Sequence, residues 1–359
     1  MKQLLKGNEA VAEAAIAAGC RCFFGYPITP QNEIPEYMSW RMKEVGGHFV
    51  QAESEVSAIN MVYGAGGAGA RAMTSSSSPG VSLKQEGISY IAGAEVPCVI
   101  VNMMRAGPGL GGIQPSQSDY FQATKGGGHG DYRMLVYAPS SVQEAADLTY
   151  KAFFRADYYR NPVMILGDGM LGQMMEPAQI PVAVDVNKLP KKSWAASGNN
   201  GGKQRVINSI FMNPDTLEAH NAHLTKKYEE MKKLDTMFEH YRTDDAEVVL
   251  VAYGIVARIC KAAVDMLRDG GIKAGLFRPI TLFPFPYGEL AKLSDNGAET
   301  FVSVELSCGQ LIEDVKLGLF DSKNRPQVGV FARVGGNVMK PEDVAEYIKA
   351  GRITQSWIK

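Results

Sequence analysis

The chain has 359 residues, with 37 Lys plus Arg, 38 Asp plus Glu, a formal net charge of −1 and 45% hydrophobic residues. At roughly 150 residues per domain this predicts two domains with a sizeable core, and the charge balance argues against an electrostatic nucleic-acid binder. Five cysteines include a C-x-C at Cys20 and Cys22 but no C-x-x-C, so neither a disulfide framework nor a usual iron–sulfur site is expected. Glycine is in excess at 38 residues, roughly 11% against about 7% in average proteins. No apolar leader with a cleavage site opens the chain, and no stretch reaches about 18 apolar residues without a charge. A cytoplasmic protein without membrane insertion is the expectation.

The segment 8–18 is Ala-rich and reads as a helix, with Asn8 as its N-cap and Gly19 as its stop. CRCFFGYP (20–27) reads as a buried strand and turn, 30–45 as a helix, 48–51 as a strand and 55–63 as an apolar helix. Strands follow at 70–74, 96–103, 135–138 and 163–166; the uniformly apolar VPCVIVNM marks a sheet covered on both faces. Ser140 or Ser141 opens a helix over 141–155, with Glu144 completing a capping-box pattern. This alternation is that of an α/β domain with a mostly parallel sheet.

Periodicity fails from about 180 to 213. Asn213-Pro214 then opens a helix whose apolar residues Leu224, Tyr228, Met231, Leu234, Phe238 and Tyr241 recur every three or four positions, which predicts one long amphipathic connector helix. A dimerisation helix is the other use of such a pattern. A second α/β unit runs from Val248, with strands at 248–254, 272–277, 301–305 and 328–331 and helices over 255–267 and 310–320.

Three glycine motifs invite a nucleotide reading. Gly64 to Gly69 fits G-x-G-x-x-G but follows a helix and leads into a strand, the reverse of a dinucleotide fingerprint, so close helix–sheet packing is expected. Gly107 to Gly112 follows a strand, but Pro115 stops any helix early; an active-site loop is expected. Gly167-Asp168-Gly169 with Asn199-Asn200 has the look of a Mg²⁺–diphosphate signature, with Asp168 as an ordinary strand-end residue in the other reading. His220-x-x-His223 has metal-ligand spacing but no third ligand nearby, so no metal site is expected on this chain. His129 lies in a Gly-rich loop of site-like composition.

Three segments can carry chemistry. Gly25-Tyr26-Pro27-Ile28-Thr29-Pro30 is a rigid turn that presents Thr29, or else a plain helix cap. Glu53-Ser54-Glu55 puts a carboxylate at the start of an apolar helix, either as a dipole partner or as an acid in an apolar pocket. Arg105 ends the most apolar strand, where open α/β sheets bind ligands, and can grip a carboxylate; a surface ion pair is the alternative.

Together the stretches GNEAVAEAAIAAGCRCFFGYPITP, ESEVSAINMVYGA, TSSSSPGVSLKQEGISYIAGAEVPCVIVNMMRAGPG, PSQSDYFQATKGGGHGDYR, PSSVQEA, RPITLFPFP and SVELSCGQLIEDV resemble the alpha subunit of 2-oxoacid:ferredoxin oxidoreductases, closest to the 3-methyl-2-oxobutanoate (2-oxoisovalerate) members. The 2-oxoglutarate and pyruvate members are near alternatives. The resemblance implies a thiamin diphosphate pyrimidine-binding-type domain at 1–185, a connector at 186–245 with the long helix, and a smaller transketolase C-terminal-like α/β domain at 246–359. It implies oxidative decarboxylation of a 2-oxoacid to acyl-CoA and CO₂ with ferredoxin reduction. Glu55, with Glu53 as backup, would be the catalytic partner of the aminopyrimidine. Tyr26, Pro27, Ile28, Thr29 and Arg105 would bind substrate, and Ser77, Ser78 and Gly80 would join Glu55 around the cofactor. CoA would be co-substrate. A beta subunit would supply the diphosphate half with its Mg²⁺, and [4Fe-4S] clusters would lie on partner chains. Ferredoxin-like and gamma subunits and ferredoxin itself complete the implied partners, in a dimer of heteromers. The glycines at 64–69, 107–112 and 126–130 would then surround the site. A non-catalytic structural subunit and a free-standing nicotinamide enzyme are the competing readings.

Overall fold

The structure, a computed structural model, describes residues 2–198, 202 and 204–357. In chain order its elements are β1 (Gln3–Lys6), α1 (Gly7–Ala17), β2 (Cys22–Gly25), α2 (Glu33–Glu44), β3 (His48–Gln51), α3 (Glu55–Gly67), β4 (Ala72–Ser76), α4 (Ser78–Gly93), β5 (Cys98–Met104), α5 (Tyr120–Thr124), β6 (Leu135–Tyr137), α6 (Val142–Tyr159), β7 (Pro162–Asp168), α7 (Gly169–Gln173) and β8 (Met175–Ala178). Then come α8 (Pro214–Leu234), β9 (Phe238–Tyr241), β10 (Val248–Val251), α9 (Gly254–Asp269), β11 (Ala274–Pro279), β12 (Thr281–Phe283), α10 (Tyr287–Asp295), β13 (Thr300–Glu305), α11 (Leu311–Leu319), β14 (Gln327–Ala332) and α12 (Pro341–Lys349).

One sheet has the order β12-β6-β7-β5-β4-β2-β3 and a second the order β14-β13-β10-β11-β9. The first is parallel except for β12, and the second is parallel except for β9. β5 and β7 are buried along all seven residues each, as their predominantly apolar sequences require. Helices α3 and α4 cover one face through Ile59, Val62, Val81 and Ile88. Helices α1, α2 and α6 cover the other through Val11, Met38 and Phe153.

Several local readings change. Asn8 does not cap α1. The cap is Lys6, and the buried Asn8 amide donates to the Pro30 carbonyl at 2.9 Å and to Glu33 Oε2 at 2.7 Å, tying α1 to the start of α2. The connector helix ends at Leu234 and does not run on through Phe238 and Tyr241. Its stop is Asp235, whose buried carboxylate meets Arg155 Nε at 2.8 Å and Tyr159 Oη at 2.7 Å. Phe238 and Tyr241 then sit on β9, paired with Pro279 and Leu276 of β11. Their spacing of three continues the helical rhythm by coincidence. The stripe that is helical (Leu224, Tyr228, Met231) packs on the first unit. As its sequence predicts, Asn213 caps this helix, accepting from Thr216 N at 3.1 Å.

The two units exchange strands. β9, which precedes the second unit, joins the second sheet, while β12 from within that unit pairs with β6 of the first. Arg278, almost fully buried beside this crossover, binds Glu144 of α6 and Glu239 of β9.

Candidate functional site

The site lies at the C-terminal ends of β2, β4 and β5, where the loops of a parallel sheet gather. After β2, the turn Tyr26–Pro30 is pinned from below by Gln31. Its Nε2 donates to the Tyr26 carbonyl at 3.3 Å, and its buried Oε1 accepts from Ser75 Oγ of β4. Tyr26, Ile28 and Thr29 are half-buried, and Pro27 is exposed. Thr29 Oγ1 takes a weak contact from Asn32 Nδ2 at 3.4 Å, and its carbonyl faces the next element.

That element is Arg105, just beyond β5. Its Nη1 donates to Thr29 O and its Nη2 to Leu110 O, both at 3.1 Å. Both acceptors are carbonyls, so its charge is not neutralised by them, and its Nε has no partner. The Gly107–Gly112 loop makes this clasp possible. At Gly111, with φ +55, an added Cβ would fall 1.8 Å from the Ala106 carbonyl oxygen. The surface ion-pair reading of Arg105 does not describe it.

Ser77 and Ser78 open α4, with Pro79 in its first turn, where a missing N–H costs nothing. Ser78 Oγ accepts from Arg105 N at 3.0 Å and donates to Asp119 Oδ2 at 2.6 Å. Asn102 completes the knot, donating to Asp119 Oδ2 at 2.9 Å and accepting from Ser78 N at 3.1 Å. Burial pushes the Asp119 carboxyl up, against these two hydrogen bonds.

Two residues further along α4, Gly80 meets Glu55. A Cβ there would lie 2.6 Å from Glu55 Oε1 and 2.2 Å from Ser76 Oγ, so only glycine admits both. Glu55 is 6% exposed and begins α3, behind the N-cap Ser54, whose Oγ accepts from Ser57 N at 3.2 Å. Glu53 is exposed and bonds Ser57 Oγ, outside this cradle. The first turn of α4 thus touches Arg105 on one side and Glu55 on the other, which keeps the two within about one helix diameter, ~10 Å.

The site residues Glu55, Ser77, Ser78, Gly80, Thr29 and Arg105 therefore converge. Gln31, Asn102, Asp119 and Lys84 were missed. Lys84 is the most legible in retrospect, being a lone cation on the stripe Val81, Lys84, Ile88, Ile91 of α4. Burial pushes its amine down to about 8, with Glu55's charge opposing.

Other expectations fall elsewhere. Gly66 lets the far end of α3 approach Val96 and Pro97, about 16 Å along the helix from Glu55 at 1.5 Å per residue. The loop 126–130 packs on Gln85 and Ser89 in the middle of α4, with His129 exposed. Of the three glycine clusters only 107–112 borders the site. The buried Asp168 ends β7, caps α7 by accepting from Met170 N and Leu171 N at 2.9 and 3.0 Å, and is pushed up to about 6 by burial. Asn199 and Asn200 lie outside the described residues. His220 contacts Gly93 O at 2.7 Å and His223 contacts Glu95 at 3.0 Å, and no group of three or more His, Cys, Asp or Glu able to hold a metal occurs among the described residues.

The unpartnered buried hydroxyls of Thr74, Ser76 and Ser77, and the Gly80 cradle holding a buried carboxylate, form a preformed polar lining suited to an aminopyrimidine. The α/β fold, with these polar groups at its strand ends, fits a thiamin diphosphate-binding domain. A family model described as "Pyruvate flavodoxin/ferredoxin oxidoreductase, thiamine diP-bdg" matches residues 13–242, and "Pyruvate:ferredoxin oxidoreductase core domain II" matches 246–344. The chain belongs to the 2-oxoacid:ferredoxin oxidoreductase family and is a subunit-type member of these oxidoreductases.

It is 52% identical to "Ketoisovalerate oxidoreductase subunit VorB" of Methanothermobacter thermautotrophicus, over 97% of each chain. It is 35% identical to "2-oxoglutarate synthase subunit KorA" of Methanocaldococcus jannaschii, over 95% of this chain and 98% of the relative. The 2-oxoglutarate:ferredoxin oxidoreductase of Magnetococcus marinus, solved with 2-oxoglutarate, coenzyme A and succinyl-CoA, superposes with a TM-score of 0.86 at 24% identity, covering 97% of this chain and 65% of that one, and so shows the fold. No helix among the described residues is long and apolar enough to cross a membrane.

Proposed function

We propose that this chain is the alpha-type subunit of a branched-chain 2-oxoacid:ferredoxin oxidoreductase. It would contribute the pyrimidine half of a shared thiamin diphosphate site and convert 2-oxoisovalerate, with CoA, to acyl-CoA and CO₂. The observation that carries this reading is the buried carboxylate of Glu55 seated on Gly80, one helical turn from the Arg105 clasp. The branched-chain substrate rests on the 52% identity to a ketoisovalerate subunit, against 35% to a 2-oxoglutarate one.

Thiamin diphosphate, when bound, supplies the carbon nucleophile and electron sink for decarboxylation. The buried Glu55 carboxyl would exchange a proton with the aminopyrimidine. Ser76 and Ser77 would line the site with their free hydroxyls, and Gly80 would let the ring approach. Arg105, with Nε spare and its fork fixed by two carbonyls, would orient the substrate carboxylate beside Thr29. A cleft of about 570 Å³ beside Thr29, lined also by Pro30, Ile113, Pro115 and Met170, offers an apolar wall for a branched side chain.

Burial pushes the Cys20 and Cys98 thiols up to about 12, away from the ligand form. This supports placing the iron–sulfur clusters on partner chains, with a beta-type subunit supplying the diphosphate half and its Mg²⁺. A ferredoxin-like and a gamma subunit would lead electrons to ferredoxin. The test is purification of the native complex with mass spectrometry, followed by a 2-oxoacid panel with a viologen acceptor. The expected result is co-purifying partner chains and the highest kcat/KM for 2-oxoisovalerate. A preference for 2-oxoglutarate or pyruvate overturns the substrate, and a chain purified without partners overturns the subunit role.

A further inference from the structure

The segment from Pro115 to Phe121 runs from the site to the joint between the units, and the second unit supplies much of its hydrogen bonding. Gln117 N donates to Leu306 O at 2.9 Å, and Ser116 Oγ donates to the same carbonyl at 3.2 Å. The wholly buried Gln117 side chain donates to Tyr253 O at 3.0 Å and accepts from Leu306 N at 3.1 Å. Gln310, the residue before α11, spans the next stretch. Its Nε2 donates to Ser118 O at 2.7 Å, and its Oε1 accepts from Phe121 N at 2.8 Å. These two backbone groups bracket Asp119 and Tyr120, and Tyr120 Oη donates to Asp314 of α11.

Gln310 is itself fixed. Its N–H donates to Glu305 Oε2 at 2.7 Å, and the same buried carboxylate accepts from Leu311 N and Ile312 N at 3.0 and 3.1 Å. The free N–H groups that open α11 are thereby held to the end of β13. On the other side of the bracket, Asp119 Oδ2 accepts from Ser78 Oγ and Asn102 Nδ2, and Ser78 Oγ accepts from Arg105 N. Asp119 is thus seated twice, its carboxylate by α4 and β5 and its backbone by Gln310. The Arg105 loop meets the second unit as well. Arg105 bridges Pro115, Ala106 N donates to Gln114 O at 2.9 Å, and Gly336 stands so close to Gln114 that no Cβ fits between them.

We infer that Gln310 is a positioning residue for substrate: through Asp119 and Ser78, the second unit sets the place of Arg105 and with it the affinity for the 2-oxoacid carboxylate. This rests on the reading of Arg105 as that carboxylate's partner. The Gln310 bracket is directional. A glutamine amide offers a donor on one atom and an acceptor on the other; Ser118 O needs the donor and Phe121 N the acceptor. Glutamate has the same size but turns an oxygen on the Ser118 carbonyl. A residue that only filled the joint would answer to volume and not to that polarity.

The experiment measures KM for 2-oxoisovalerate and for CoA in the purified complex carrying Gln310→Glu, Gln310→Ala or Asp119→Asn. Gln310 is only half-buried, and Asp119→Asn approaches the same link from the site without altering the second unit. The KM for the acid should rise about 3- to 10-fold in all three, with Gln310→Glu at least as damaging as Gln310→Ala, while the KM for CoA stays unchanged. In an Arg105→Ala background the Gln310 changes should raise the acid KM no further, because the link ends at Arg105. A fall in kcat with both KM values unchanged overturns the inference. So does a harmless Gln310→Glu beside a damaging Gln310→Ala, or a Gln310 effect that adds in full to Arg105→Ala. An unchanged acid KM in Arg105→Ala alone overturns instead the reading on which it rests.

Discussion

Glu55 and Arg105 divide the work of the site between a proton and a charge, and each can be removed without touching the other. Glu55→Gln keeps the size of the side chain and the seat on Gly80 but cannot exchange a proton. Turnover of the reconstituted complex should fall at least ~100-fold while the subunits still assemble on a sizing column. Wild-type-like turnover would leave Glu55 a helix-dipole residue and the chain a structural subunit. Arg105→Ala removes a fork already aligned by Thr29 and Leu110. The KM for the 2-oxoacid should rise roughly 10- to 100-fold, with the KM for CoA unchanged. An unchanged KM for the acid would reject its role.

At the scale of elements, α4 is the organiser. Its first turn carries Ser78 toward Arg105 and Gly80 toward Glu55. Gly80→Ala would ordinarily favour a helix, but here its Cβ collides with Ser76 and Glu55. We expect a stability loss of about 1–3 kcal/mol by thermal unfolding and a weakened thiamin diphosphate titration of the complex. A stabilised variant with unchanged cofactor affinity would show that the contact is slack. Much of the frame was legible, because β2, β5 and β7 announce themselves by apolar runs between Gly and Pro punctuation. The site was half legible. Glu55 and Arg105 stand out as charges at the ends of apolar elements. Asp119 and Asn102 act through partners 17 to 41 positions away, and Gln31 reaches Ser75, 44 positions on; no local pattern encodes such pairings. The extension of α8 to Tyr241 failed because Asp235, held by Arg155 and Tyr159, stops the helix, and Phe238 and Tyr241, three apart, then fall on opposite faces of β9.

For the whole molecule, the joint between the units holds a buried charged cluster. Arg278, 1% exposed, holds Glu144 and Glu239 from two different elements. Burial alone would raise Glu144's carboxyl, but Arg278 and the Ser140 N–H bring it below its ordinary value. Its contribution to stability is therefore full at neutral pH and is lost as pH falls through the folded-state value, which lies below that of a free glutamate. Arg278→Met should cost ~3 kcal/mol at pH 7 by denaturant titration, because Glu144 loses its only cation among the described residues while Glu239 keeps Lys261. The deficit should shrink toward pH 3, and a pH-independent deficit would assign the loss to packing instead.

The exchanged strands give the chain a property of interleaved fingers. A single proteolytic nick between β9 and β10 would leave each fragment lending a strand to the other's sheet. The nicked protein should elute as one species and melt in a single calorimetric transition. Neither fragment expressed alone should hold its sheet complete, yet the two mixed together should restore it. Two separate melting transitions in the intact chain would show that the loan is too small to couple the halves.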